Sequence, residues 1–504
     1  MDTLPGYDEL PYDRLPFPET EPDFLAALAR LHGFAAADAR TARVLELGCA
    51  QGGNLIPMAA RYPLGAFVGV DLSRVQVEAG GAFIARAGLA NIRLLHGDIA
   101  ALPDDLGTFD FIIAHGVYSW VPDSVRAALL AACRRLLRPQ GVAYLSFNVT
   151  AGWRTYARLR RLLVENDRPE LGPMRRVERA RSLLAATRFD DARLQKEADY
   201  LMRASAAYLF HEYLSDINNA YAFPQFVADA DAQGLRYLGE AGPRRARVAL
   251  ENDWGLSPAA RRERWLEAEA ALDEALDSRF RRALLVRDDA PPPQPQQAEN
   301  LTSLAFSAEL SSEDELDLAE ATEQHFATVT GERLPASHPL LKAFLVVLAG
   351  HYPQVLGYAE AAGRALQLAR EHGYRGEADA AFLEALLDFA QMHGVRLHAC
   401  VPARAAAADD CPRASRLARA QASADWPLTS AFHQALDIDE WGRGLLAAMD
   451  GGTPLEALAQ HLRQALHAAG VELGAEQAAQ HVRQYLEFFR RQGLLGDRPE
   501  HLLQ

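Results

Sequence analysis

At 504 residues the chain is long enough for about three domains of ordinary size, each with its own core. Apolar residues make up 49% and charged residues 24%, which excludes a chain dominated by disorder. The net charge of −15 gives no electrostatic support to nucleic-acid binding by the whole surface.

The four cysteines, Cys49, Cys133, Cys400 and Cys411, show no C-x-x-C spacing, so neither a disulfide framework nor a zinc ribbon is indicated and a reducing cytoplasm is the expected compartment. The N-terminal stretch MDTLPGYDELPYDRLPFPE is acidic and proline-rich where a secretory leader needs a basic start and an apolar run. No run of about 20 apolar residues occurs, so a membrane span is not expected.

In chain order, Thr20 is placed to cap a first helix, with Pro22 at an early helical position, Asp23 three residues on and an apolar face in FLAALARL before Gly33. From Arg43 to Phe147 short apolar runs alternate with amphipathic stretches: VLEL, a glycine-rich turn, NLIPMAARY, AFVGVDL, VQVEAGGAFIARAGL, IRLLHGD, FDFIIAHG, VRAALLAACRRLL and VAYLSFN. Strands alternating with helices predict a parallel, doubly wound α/β sheet. After Trp153 the strand signals vanish and helical patterns run to about Arg282, predicting a helical second module. Within it, Arg154 to Arg203 carries thirteen basic against eight acidic residues, which reads first as the solvated face of helices and second as a docking surface.

The segment DDAPPPQPQQAEN, residues 288–300, cannot sustain a helix or a central strand and predicts an extended linker. Beyond it, FLEALLDFAQMHGVRL (382–397) and VRQYLEFFRRQGLL (482–495) each read as an amphipathic helix, one glycine and a short apolar strand, each preceded by two further helical patterns. That succession predicts two small α+β domains of winged-helix type. Residues 301–400 hold six Lys and Arg against fourteen Asp and Glu, so a scaffold or partner-docking role is favoured over contact with phosphates. The expected division is therefore 1–200, 201–287, 288–300, 301–402 and 403–504.

The stretch VLELGCAQGGN, Val44 to Asn54, is the most informative. A strand ending in Glu46-x-Gly48-x-Ala50-x-Gly52 before a helix lets the backbone turn tightly and pass close to a ligand without a Cβ collision; Cys49 and Asn54 belong to the same turn. The spacings G-x-G-x-x-G and Gly-Lys-Ser/Thr of dinucleotide and triphosphate sites are absent. Glu46 stands where a carboxylate can engage, directly or through water, the cationic amino group of an amino acid moiety. A second strand ends in Asp71 and Leu72, from which a carboxylate can accept hydrogen bonds from both ribose hydroxyls. A third ends in Gly97-Asp98-Ile99 and a fourth in His115 and Gly116, all on the ligand-binding edge of a parallel sheet.

Taken together, these residues resemble the class I S-adenosylmethionine-dependent methyltransferases, with Glu46 to Gly52 matching the first motif, Asp71 the ribose-binding acid and Asp98 with Ile99 the adenine-contacting turn. The resemblance implies a Rossmann-like domain with S-adenosylmethionine as cofactor, held by Glu46, Gly48, Cys49, Ala50, Gly52, Asn54, Asp71, Leu72, Asp98, Ile99, His115 and Gly116. A narrower resemblance lies in YDELPYDRLPFPETEPDFL, HGVYSWVPDSVRAALL, FHEYLSDINNAYAFPQFVADADAQGLRYLGEA and the later PRASRLARAQA and LAAMDGGTPLEAL. These look like bacterial methyltransferases with a methyltransferase regulatory domain, among them rickettsial enzymes that methylate lysines of an outer-membrane protein. The implied partner is a protein substrate, such as an outer-membrane or secreted protein before export, with homodimerisation also considered. Asn148-Val149-Thr150-Ala151-Gly152-Trp153 departs from the family's Asn-Thr-Tyr-Pro-Gly-Trp run at the tyrosine and the proline.

Transfer to a lysine amine calls for a desolvating, aromatic pocket. Tyr118 is expected to orient the amine, Trp120 and Trp153 to cover its stem and His115 to relay a proton, against the alternative that each is simply packed beside the cofactor. Tyr7, Tyr12 and Phe17 are candidates for a lid. His211 and Glu212 are adjacent on a helix with no second pair at i+4 spacing, so no metal is expected. Two other functions remain open: methylation of a small molecule, with the added domains capping the pocket, and a non-catalytic cofactor-binding regulator.

Overall fold

Alternation with period two builds the central sheet. In β1 (Arg43–Leu47) Val44 faces one core while Leu45 and Leu47 face the other; Phe111 and Ile113 alternate in the same way with Ile112 and Ala114 in β4 (Phe109–Ala114). The computed structural model describes residues 8–242, 256–292, 294, 296–312, 315–392, 394–402 and 410–496. With β2 (Ala66–Asp71), β3 (Ile92–His96) and β5 (Leu137–Val149), these strands run parallel in the order β3-β2-β1-β4-β5. Helices α1 (Pro22–Leu31), α2 (Leu55–Arg61), α3 (Arg74–Ala87) and α4 (Asp123–Leu136) complete the doubly wound layers expected from the sequence.

Glu21, not Thr20, caps α1: its carboxylate accepts from the Phe24 N–H at 3.1 Å, while the Thr20 hydroxyl donates to the Phe17 carbonyl at 2.8 Å. Every residue of α1 except Arg30 is buried, because the helix lies between the sheet and the middle domain in one continuous core.

The region after Trp153 is not purely helical. Helices α5 (Thr150–Glu165), α6 (Pro173–Ala186), α7 (Ala192–Leu201) and α8 (Ala206–Tyr213) form a bundle with its own apolar cluster. The chain then makes β6 (Ala220–Tyr221), α9 (Phe223–Ala232), β7 (Leu235–Glu240), α10 (Pro258–Leu276) and β8 (Phe280–Arg287). β8 inserts antiparallel between β5 and β7, so the central sheet takes its last strands from beyond residue 200. The expected boundary at 200 therefore divides a single sheet. β8 is held by Arg281, 1% exposed, whose Nε donates to Asp273 at 2.8 Å and whose terminal nitrogens reach Glu269 at 3.2 Å and Glu240 at 3.3 Å.

The proline-rich linker lies along α1, where the Gln297 N–H donates to the Leu31 carbonyl at 3.0 Å and the Asn300 amide reaches the same oxygen at 3.2 Å. In the middle domain, strand Ala305–Ser307 pairs antiparallel with Leu356–Gly357 and Arg396–His398, against helices Pro339–His351, Tyr358–Glu371 and Ala380–Gln391. The C-terminal domain packs helices Arg416–Ser423, Glu440–Ala448, Leu455–Ala468 and Ala475–Arg491 around a small core; its expected final strand is only an isolated bridge between Ala414 and Leu495. Among the described residues no helix is long and apolar enough to cross a membrane.

Candidate functional site

Beyond β1 the chain enters the left-handed region three times, at Gly48 (φ 78°), Ala50 (φ 48°) and Gly52 (φ 80°). At Gly48 a side chain is also sterically barred, since a Cβ would stand 2.6 Å from Cγ2 of Val117. This path aims the Ala50 N–H at Oδ2 of Asp71 (2.7 Å), while the Ser73 N–H donates to Oδ1 at 2.9 Å. Two backbone donors thus fix the Asp71 carboxylate at the end of β2. At the end of β3, Asp98 accepts from the Ala100 N–H at 2.8 Å. Gly48, Ala50, Asp71, Leu72, Asp98, Ile99, Gly116 and Trp120 all line one cavity of about 320 Å³ at the C-terminal edge of β1–β4.

Glu46 lies behind the turn. Its Oε1 accepts from Nδ2 of Asn54 at 2.7 Å, whereas its buried Oε2 has no hydrogen-bond partner among the described residues. Burial pushes its pKa up to about 8; the Asn54 hydrogen bond pulls it down and the charge of Asp71 adds to the rise. Such a carboxylate is stabilised by an arriving cation.

Several expected site residues stand elsewhere. Glu46, Cys49, Gly52 and Asn54 shape or back the turn without lining the cavity. The Asn54 oxygen accepts from the Phe17 N–H (2.9 Å) and Nε2 of His433 (2.8 Å), and the Thr20 hydroxyl, which donates to the Phe17 carbonyl, lies 3.1 Å away. His115 stacks on Phe17 with ring centroids 3.8 Å apart and pairs through Nδ1 with the Tyr144 hydroxyl at 2.9 Å; burial, with Arg282 nearby, lowers its pKa to about 3, so it is neutral and not placed as a proton relay. Tyr118 is fully buried among Tyr221, Phe226 and Phe147, and its hydroxyl donates to Asp229 at 3.0 Å. Trp153 packs against Tyr213 and lines a separate cavity of about 560 Å³ with Arg154, Arg160 and Arg161. Tyr118→Phe is accordingly expected to leave the methyl-transfer rate within about twofold and to lower stability by about 1 kcal/mol, read by steady-state rates and denaturant melts.

Sequence reasoning singled out the N-terminal segment as a lid but missed what fastens it. Asp8 and Tyr12 line the cavity, with Tyr7 outside the described residues. Tyr12 stacks on His211 at 4.1 Å, and Nε2 of His211 pairs with the Leu10 carbonyl at 2.7 Å. Arg14 donates to Gln51 at 2.8 Å and lies over the Trp426 ring, so this arm joins the glycine turn to both the helical bundle and the C-terminal domain. Val121, Pro122 and Val125 add an apolar wall that no motif announces.

A glycine turn, an acid at the end of the second strand and a further acid at the end of the third meet around one cavity at the C-terminal edge of the sheet, where parallel α/β sheets bind their ligands. Three family descriptions match: a methyltransferase domain over residues 44–141, a predicted methyltransferase regulatory domain over 205–287, and a PKMT C-terminal winged helix domain over 410–494. The chain is 37% identical over 243 residues to the uncharacterized protein RP789 of Rickettsia prowazekii, an overlap of 46% of this chain and 44% of that protein. It is 32% identical over 242 residues to the uncharacterized protein RP028 of the same organism, covering 46% of this chain and 96% of the relative. The structure of PKMT2 from Rickettsia typhi in complex with AdoHcy aligns with a TM-score of 0.78 at 25% identity, covering 96% of this chain and all of that one (100%). The chain belongs to the S-adenosylmethionine-dependent methyltransferases that carry a methyltransferase regulatory domain.

The site fits that cofactor on its own terms. Asp71 suits a ribose diol and the space beside Gly48 and Ala50 is left open by the backbone, while behind the turn the Oε2 of Glu46, unpartnered among the described residues, suits a cationic amino group.

Proposed function

We propose that the chain methylates the side-chain amine of lysine in a protein substrate. The observation that carries this reading is the likeness to PKMT2 of Rickettsia typhi along the whole of that chain, regulatory and winged-helix regions included. Bound S-adenosylmethionine would supply the methyl group from a sulfonium centre, a displacement that needs alignment and no covalent enzyme intermediate. The chain's part is to present a neutral amine. Deprotonating a lysine at pH 7 costs roughly 4.6 kcal/mol from its reference pKa, and apolar walls reduce that by penalising the charged form. Trp120, Val121 and Val125 provide such walls, while Asp8 and Tyr12 put a carboxylate and a ring in the same cavity to receive an incoming ammonium.

Incubation of the purified protein with methyl-labelled cofactor and a cell lysate, followed by separation of macromolecules from metabolites, tests the reading. Label on lysines of protein, located by mass spectrometry, is the expected result. Label confined to small molecules would replace it with metabolite methylation, and binding without transfer with a regulatory role.

A further inference from the structure

A side chain of the C-terminal domain reaches the residues behind the glycine turn. In that domain, strands Leu428–Thr429 and Ala435–Leu436 form a hairpin whose tip is tied by Ser430, which receives the Phe432 and Gln434 N–H groups at 3.2 Å each. His433 at that tip adopts φ 59°, a left-handed conformation that few non-glycine residues hold, and is 2% exposed. The hairpin is seated on the methyltransferase domain by neighbours on several sides. Arg61 of α2 donates to the Ala431 carbonyl, Trp426 stacks face to face on Phe83 of α3 at 3.8 Å, and Arg86 donates to the Ser423 carbonyl at 3.1 Å.

What His433 meets there is Asn54. The Phe17 N–H can only donate, so the end of the Asn54 amide that it contacts must be the oxygen and the NH2 must face Glu46. It follows that Nε2 of His433, 2.8 Å from the same oxygen, carries a proton. Burial, with Arg396 and Arg61 nearby, keeps the imidazole neutral, which matches a single donating N–H. Asn54 is in turn the sole hydrogen-bond partner found for the Glu46 carboxylate among the described residues. Its orientation is therefore set from two places: the arm through Phe17 and a residue 379 positions away in another domain.

We propose that His433 is a positioning residue of the cofactor site: it clamps Asn54, whose amide holds the Glu46 carboxylate ready for the cationic end of S-adenosylmethionine. The C-terminal domain then has a task in cofactor affinity separate from any contact with substrate. The proposal rests on the assignment of that cofactor.

The test is calorimetry with S-adenosylmethionine and S-adenosylhomocysteine on the full chain, alongside steady-state rates. His433→Ala is expected to weaken binding by roughly threefold to tenfold, the range of one buried hydrogen bond, with KM for the cofactor rising in step and kcat within twofold. His433→Gln, which can place an N–H near the Nε2 position, should recover most of the loss. His433→Asn, better suited to the left-handed backbone yet too short to reach, should bind at least threefold more weakly than the Gln variant; this pair decides the matter if the Ala variant fails to fold. In an Asn54→Ala background, adding His433→Ala should cost little more. Equal affinities of the Asn and Gln variants, or an undiminished effect of His433→Ala without Asn54, would overturn the clamp. Failure of the unaltered protein to bind either nucleoside would instead remove the cofactor assignment.

Discussion

Glu46→Gln is expected to weaken S-adenosylmethionine binding by about 10- to 100-fold at pH 8 and to remove the rise in affinity between pH 6 and 8. The magnitude follows from losing one charge-assisted hydrogen bond, worth about 1.5–3 kcal/mol. The pH dependence follows from burial, which raises the Glu46 pKa to about 8. Below that value the carboxyl is mostly protonated, and above about 8 the α-amino group of the ligand loses its own proton, so affinity in the unaltered protein should climb as pH rises from 6 and pass through a maximum near 8. Stability runs the other way. A carboxyl whose folded pKa exceeds its unfolded value contributes stability that is fully present below about 4.5 and is lost as pH rises through 8. The protein without cofactor should therefore melt at lower temperature as pH rises across that window, the Gln variant should lack this component, and the stabilisation by added cofactor should grow up to about pH 8. Calorimetric titrations and thermal melts between pH 6 and 9 read both effects; a flat binding profile in the unaltered protein would contradict them.

Arg281→Met is expected to cost about 3–5 kcal/mol, enough to abolish cooperative folding in a marginally stable protein. Its guanidinium faces the carboxylates of Asp273, Glu269 and Glu240, each less than a tenth exposed, and is layered on the Phe223 ring at 3.8 Å. Removing the cation leaves three acids buried together. Arg281→Lys should be rescued only in part, because one ammonium cannot reproduce contacts made along separate arms of a planar fork. Thermal and denaturant unfolding measure the loss, and a melting temperature within a few degrees of the unaltered protein would refute this account of β8.

The same arginine explains why β8 was hidden in the sequence. FRRALLVR and LRYLGE carry charges that read as solvent-facing, and only the tertiary pairing of Arg281 with acids from α10 and β7 makes them compatible with a central sheet. The first four strand ends were legible because each joins a Val-, Leu- or Ile-rich run to a glycine or an acid within a few residues, a local signal. Side-chain direction in the loop after β4 was not legible. Tyr118 and Trp120 are two positions apart, yet the first lies in the core against Phe226 and the second lines the cavity, because the chain has left the strand and its alternation no longer applies. No sequence pattern marks the meeting of Asn54 with His433, which depends on how the C-terminal hairpin is seated.

The late arrival of β8 also matters while the chain is being made. The last nine residues of β5 are buried, and their free edge is covered by β8 from Ala143 opposite Leu285 to Asn148 opposite Phe280. About 130 residues separate the end of one strand from the start of the other. A ribosome adding about 5–20 residues per second needs roughly 7–26 s to cross that gap. For that interval the nascent polypeptide carries an apolar strand with a bare flank, the surface on which neighbouring nascent chains pair wrongly and which chaperones shield.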